Sequence, residues 1–164
     1  MTIWDDVCPE LVEGMFKIRS KPKWAFANTS KALAGSIPIT SWGLDICNFG
    51  EQGKSPEELE QKIRGEWENI SKEYPFVPKL WCKIKKLVEP DIKMTRVFVN
   101  GQTYGLGDNI HPDTRSSSGI TFVYYFNPQW DPEWDGQTII YTNEGEILAS
   151  ILPKPGRLIG FDSR

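Results

Sequence analysis

The chain has 164 residues, 39% of them hydrophobic and 25% charged, with a formal net charge of −3. That length supports one ordinary domain with a substantial core, and the acidic balance supplies no basic field to draw the chain to nucleic acid. The longest notable apolar run, Phe122 to Phe126, is far too short to cross a bilayer. The opening Met1-Thr2-Ile3-Trp4-Asp5-Asp6 lacks the basic start and apolar stretch of a signal peptide.

In chain order, Pro9 suits a first helical turn, and Leu11, Val12, Met15, Phe16 and Ile18 follow at helical spacing, weakened by Gly14. Lys23 to Ala27 alternates Trp24 and Phe26 with small or polar neighbours and predicts a strand. Asn28 to Thr40 is rich in small residues and reads as a loop, before a short strand around Leu44 to Cys47. The clearest helix start is Ser55-Pro56-Glu57-Glu58, where serine caps free amides, proline fits the first turn and Glu58 completes a capping box. Leu59, Ile63, Trp67 and Ile70 then form one apolar stripe. A second helix is expected over Lys79 to Val88, burying Leu80, Ile84, Leu87 and Val88, with Lys83, Lys85 and Lys86 on a solvated face.

From Met94 the pattern changes to strands and turns. Arg96 to Val99 is extended, Asn100-Gly101 signals a turn, and Gln102 to Tyr104 resumes the strand. Ile120 to Phe126 is β-rich. Thr138 to Tyr141 and Glu146 to Ile151 flank Asn143-Glu144-Gly145 as a hairpin, and Pro153 to Gly156 turns the chain into a last run, Arg157 to Phe161. The expected architecture is a single α+β domain over 1–164, with a helical N-terminal region at 1–93 and an antiparallel sheet region at 94–164.

Three widely spaced cysteines, Cys8, Cys47 and Cys82, have no CxxC spacing and point to free thiols in a reducing compartment, hence a cytoplasmic location. The seven tryptophans read first as walls of a core or pocket. The chemistry-bearing feature is His111-Pro112-Asp113. One residue apart on an extended chain, both side chains point to the same face, and an imidazole with a carboxylate supplies two ligands suited to iron or a related divalent metal. By chance an aspartate stands two residues after a histidine in roughly one case in twenty, so the pair gains meaning only from its surroundings. His111 is the only histidine in the sequence.

Those surroundings are Arg96-Val97-Phe98-Val99-Asn100-Gly101-Gln102-Thr103-Tyr104-Gly105, then His111-Pro112-Asp113, Thr121 to Asn127, Trp134-Asp135-Gly136-Gln137-Thr138, and Pro153-Lys154-Pro155-Gly156-Arg157-Leu158-Ile159-Gly160-Phe161. Their order and spacing resemble the 2-oxoglutarate- and Fe(II)-dependent dioxygenases, in the prolyl 4-hydroxylase-like branch. The likeness covers about Asp91 to Arg164, and Ile3 to Glu10 is similar to that branch's N-terminal region. The resemblance implies a double-stranded β-helix, a cupin-like jelly roll with supporting N-terminal helices.

It also implies that His111 and Asp113 are catalytic iron ligands, that Tyr104, Tyr125 and Thr138 face the 2-oxoglutarate, and that Arg96 is structural. Fe(II), 2-oxoglutarate and O2 are the implied cofactors and cosubstrates, with ascorbate an optional addition. The implied reaction is hydroxylation of a C–H bond in a peptidyl (prolyl among them) or small-molecule substrate, with decarboxylation of 2-oxoglutarate to succinate.

In that family a second histidine follows the strand that Leu158 to Phe161 resembles, and a basic residue for the far carboxylate comes later. This sequence reads Asp162-Ser163-Arg164 there. The expectation is therefore a C-terminally shortened domain lacking its last core strands, or a natural short form, with weak iron binding and little turnover. Open β-edges would permit homo-oligomers; no nucleic-acid or membrane partner is expected. Two other readings stand: a non-catalytic jelly-roll module holding a ligand against Trp130 and Trp134, and a structural subunit of a larger assembly.

Overall fold

The computed structural model describes residues 1–29, 40–50, 56–88, 91–105, 107–114 and 119–163. The fold is mixed α/β with antiparallel sheets, and the chain forms two compact units: Met1–Trp42 with Gly101–Arg164, and Gly43–Asn100.

In the first unit, strands β1 (Thr2–Trp4), β5 (Ile120–Tyr124) and β8 (Leu158–Asp162) form one sheet in the order β1-β8-β5. Both pairings are antiparallel, with Trp4 opposite Leu158 on one side and Tyr124 opposite Leu158 on the other. Leu158 and Ile159 are fully buried, so β8 reads as a continuous apolar run where a half-exposed strand would alternate. Gly160 fits because it has no side chain: a Cβ there would lie 3.0 Å from Phe122 Cε1 and 3.2 Å from Trp4 Cζ3. Three residues of β1 are too few to signal a strand on their own; pairing with β8 makes them one.

The N-terminal helical expectation resolves into short pieces. A 3-10 turn (Pro9–Leu11) leads into α1 (Val12–Phe16), and a second 3-10 turn (Lys17–Ser20) follows. Leu11, Val12, Met15 and Ile18 are buried as their spacing predicts. β2 (Ala25–Thr29) starts two residues later than the Lys23 expected, and Asn28 and Thr29 belong to it rather than to a loop. Residues 30–39 of that expected loop lie outside the described residues.

The hairpin is present as β6 (Thr138–Tyr141) and β7 (Ile147–Ile151), antiparallel with a bulge between Ile140 and Tyr141. Thr142 N–H donates to Glu146 O at 2.8 Å and Gly145, at φ +87°, closes the turn onto Thr142 O. The final expected run from Arg157 is β8, beginning one residue later.

In the second unit, β3 (Thr40–Asn48) runs well beyond the short strand expected around Leu44 to Cys47, and β4 (Arg96–Gly101) is its hydrogen-bonded neighbour. The helices are α2 (Pro56–Glu73) and α3 (Phe76–Leu87), which pack against each other. Ser55, the expected cap, and the side chain of Leu59 lie outside the described residues; Ile70 is buried, while Ile63 and Trp67 are half-buried. Leu44, Phe49, Ile70, Tyr74, Val77 and Ile84 carry this unit's core.

Three expectations fail here. α3 begins at Phe76, not Lys79, because Pro78 sits in a first turn where its missing N–H had no intrahelical partner. Val88 is exposed rather than buried, since the helix has ended and its backbone leaves helical geometry. A third failure is the Asn100-Gly101 turn: both residues lie inside β4, and no strand follows over Gln102 to Tyr104. Gly101 is required for close approach instead, as a Cβ would lie 3.1 Å from Trp24 Cζ3 and 3.3 Å from Trp42 Cβ.

Candidate metal site and its surroundings

His111 and Asp113 lie on an irregular segment before β5, not on a regular strand, yet their side chains converge. His111 Nδ1 lies 2.6 Å from Asn109 O. A carbonyl can only accept, so Nδ1 carries a proton, and Nε2 is the ring nitrogen left to meet a ligand. Nε2 faces Asp113 Oδ1 at 3.6 Å, too long for a hydrogen bond. Both side chains are about one-third exposed, at 30% and 34%.

Two lone-pair donors held apart at 3.6 Å and open to solvent fit one divalent ion, since metal–ligand distances of about 2.0–2.2 Å allow a single ion to touch both. The carbonyl behind the imidazole is the usual device for fixing the tautomer of a ligating histidine. Among the described residues no group of three or more His, Cys, Asp or Glu side chains converges to hold a metal. The fit is therefore to two positions of a coordination shell. With one histidine in 164 residues, a second imidazole ligand would have to come from outside them.

Tyr125 and Thr138 form a second pair. Tyr125 Oη donates to Thr138 Oγ1 at 2.5 Å, joining the end of β5 to the start of β6. Burial raises the Tyr125 phenol above its ordinary value, with the Thr138 hydrogen bond opposing, so it stays a neutral hydrogen-bonding group at physiological pH. Its main chain is locked as well: Tyr125 N–H donates to Arg157 O and Gly156 N–H to Tyr125 O, both at 2.9 Å. Tyr104, the remaining expected cosubstrate residue, is 86% exposed and belongs to neither pair.

Tyr124 Oη donates to the carbonyls of Val7 (2.8 Å) and Cys8 (3.1 Å), and burial pushes its phenol up to about 12. Asp5 takes two hydrogen bonds from Arg157 (2.7 and 3.1 Å) and one from Lys154 (3.1 Å). The Arg157 hydrogen bonds are the main reason its carboxyl is held down at about 2. Trp130 and Trp134 meet edge to face at 5.6 Å, and Trp130 Nε1 donates to Asp135 O, so both rings are engaged in their own loop. Arg96 pairs with Asp45 at 2.9 Å and lies over the Phe98 ring, which is a structural role.

Residues 98–164 match the family model of the 2OG-Fe(II) oxygenase superfamily. No curated protein matches the chain. The matched segment contains all five expected site residues, Tyr104, His111, Asp113, Tyr125 and Thr138. Oxygenases of this superfamily generally require Fe(II), 2-oxoglutarate and O2. No described helix is long and apolar enough to cross a membrane.

Sequence reasoning missed Asn109, whose carbonyl orients the imidazole, and the Asp5–Arg157 pair. Neither leaves a local signal: a carbonyl contact carries no side-chain signature, and Asp5 and Arg157 stand 152 positions apart.

Proposed function

We propose that this chain is a 2-oxoglutarate- and Fe(II)-dependent oxygenase domain of the prolyl 4-hydroxylase-like branch, built on a double-stranded β-helix. In this reading it hydroxylates a C–H bond of a peptidyl or small-molecule substrate. His111 Nε2 and Asp113 supply two of the iron ligands. Tyr125, held by Thr138, offers its hydroxyl to the cosubstrate, and Tyr104 reaches it from the exposed side. Bound iron would supply activation of O2, coupled to decarboxylation of 2-oxoglutarate. The protein's own share is to orient the imidazole so that Nε2 meets the ion, to place the carboxylate beside it, and to keep the Tyr125 phenol neutral. Its three free cysteines accord with a cytoplasmic setting.

The observation that carries this reading is the placement of the only histidine, with Nδ1 held at Asn109 O and Nε2 turned toward Asp113 at 3.6 Å. Cobalt(II) tests it as a paramagnetic stand-in for iron, because a sole histidine gives one unambiguous set of ring resonances. The expected result is a shift or broadening of the His111 ring signals that is lost in Asp113→Ala. Ring signals indifferent to cobalt at millimolar concentration would overturn it. Turnover by the 164 residues alone is expected to be slight, with succinate formation close to that of His111→Ala.

A further inference from the structure

Ser163 is 5% exposed, a buried polar residue just beyond the end of β8. Its carbonyl accepts from Thr114 N–H at 3.1 Å, and its own N–H donates to Gly119 O at 3.1 Å. Its hydroxyl accepts from Thr121 Oγ1 on β5 at 2.9 Å. The fit is close: a Cβ on Gly119 would lie 3.3 Å from both Ser163 Oγ and Thr114 Cγ2. One residue thus ties down Thr114 and Gly119 together, and Thr114 directly follows Asp113 in the chain.

We infer that Ser163 is a positioning residue for the His111–Asp113 pair, holding the main chain one residue beyond Asp113 and so fixing where the carboxylate stands relative to Nε2. The inference rests on the metal-site reading above. Adjacent Cα atoms are locked about 3.8 Å apart, so anchoring Thr114 leaves Asp113 little freedom. The pair is then gripped from both sides: Asn109 O holds the imidazole, and Ser163 holds the chain after the carboxylate. Binding constellations need such support, because displacements of about 0.5 Å already spoil ligand geometry. Ser163 continues the register of β5 and β8 by one pair, opposite Gly119, and its hydroxyl contact with Thr121 adds a side-chain tie to that placement.

The test uses the 164-residue protein and two readouts, amide hydrogen exchange at Thr114 without metal and cobalt(II) affinity at the His111 ring. Ser163→Ala and Thr121→Val remove opposite ends of one hydroxyl contact. Each is expected to speed Thr114 exchange by up to about tenfold and to weaken cobalt binding about tenfold. The double variant should be no worse than either single one. Ile151→Val, a conservative change at a buried position of β7, should lower stability while leaving both readouts unmoved. If Ser163→Ala does not fold, Thr121→Val against the Ile151→Val control carries the test. Unchanged Thr114 exchange, or additive effects in the double variant, would falsify the inference. If cobalt fails to shift the His111 ring even in the unmodified protein, the metal reading falls, and Thr114 exchange alone decides the role of Ser163.

Discussion

Strands β7 and β8 are both five residues long and similarly apolar in sequence, Ile147-Leu148-Ala149-Ser150-Ile151 against Leu158-Ile159-Gly160-Phe161-Asp162. Their fates differ. Leu158 and Ile159 are 0% exposed, whereas Ile147 and Leu148 are 60% and 63% exposed. β8 has a hydrogen-bonded strand on each edge, while among the described residues β6 and β7 have only each other in a two-stranded sheet. Apolar content alone therefore says little about which strand carries the stability of this unit; position in the sheet decides it.

The sharpest way to break this comparison is Leu158→Ala. It should destabilise the protein by about 2–5 kcal/mol, because a fully buried leucine leaves a cavity its neighbours fill only in part. Urea unfolding followed by fluorescence of the seven tryptophans would measure it. A smaller loss, about 1–3 kcal/mol, is expected for Gly160→Ala, where the new methyl meets Phe122 and Trp4 and forces them to shift. Both values should greatly exceed that of Leu148→Ser on β7, which should stay within about 0.5 kcal/mol. A loss above 2 kcal/mol at Leu148 would mean that the hairpin is covered in solution and that the contrast is misdrawn.

Between these extremes lies Asp5→Asn, which removes the partner of Arg157 and Lys154 beside β8. The carboxylate is partly exposed, so solvent screening limits the expected loss to about 1 kcal/mol or less. Its pH signature is more telling. Asp5 is held at about 2, below its ordinary value near 3.8, so its contribution is complete above the ordinary value and disappears as pH falls through about 2. Acid titrations of the two proteins should therefore differ at neutral pH and converge near pH 2. A constant gap down to pH 2 would show that the carboxylate's charge is not the cause.

Much of this was legible in the sequence, for identifiable reasons. The β6–β7 hairpin announces itself because its turn, Asn143-Glu144-Gly145, and its strands are all local. The helix from Pro56 to Glu73 follows from a cap signal and an apolar stripe within one segment. His111 and Asp113 are near neighbours, and their pairing needs only a few residues of chain.

What escaped depends on distant partners. β1 exists only against β8, and Asn100-Gly101 is a turn signal overruled by the approach of two tryptophans. Ser163 is an ordinary serine until its backbone and hydroxyl bonds are seen. The start of α3 lies three residues before the expected Lys79, since proline breaks a helix interior but is tolerated in a first turn, where Pro78 stands.

The pairing of Trp4 with Leu158 has a consequence for synthesis. At roughly 5–20 residues per second, the ribosome needs about 8–30 s to make the 153 residues between them. For that time β1 has no strand to join, and β5 waits for the same partner with its apolar face uncovered. The sheet closes only when β8 emerges and enters between two strands already made. A nascent chain held just short of Leu158 should thus remain sensitive to proteases and chaperone-bound, and one that exposes β8 should gain protection in a single step.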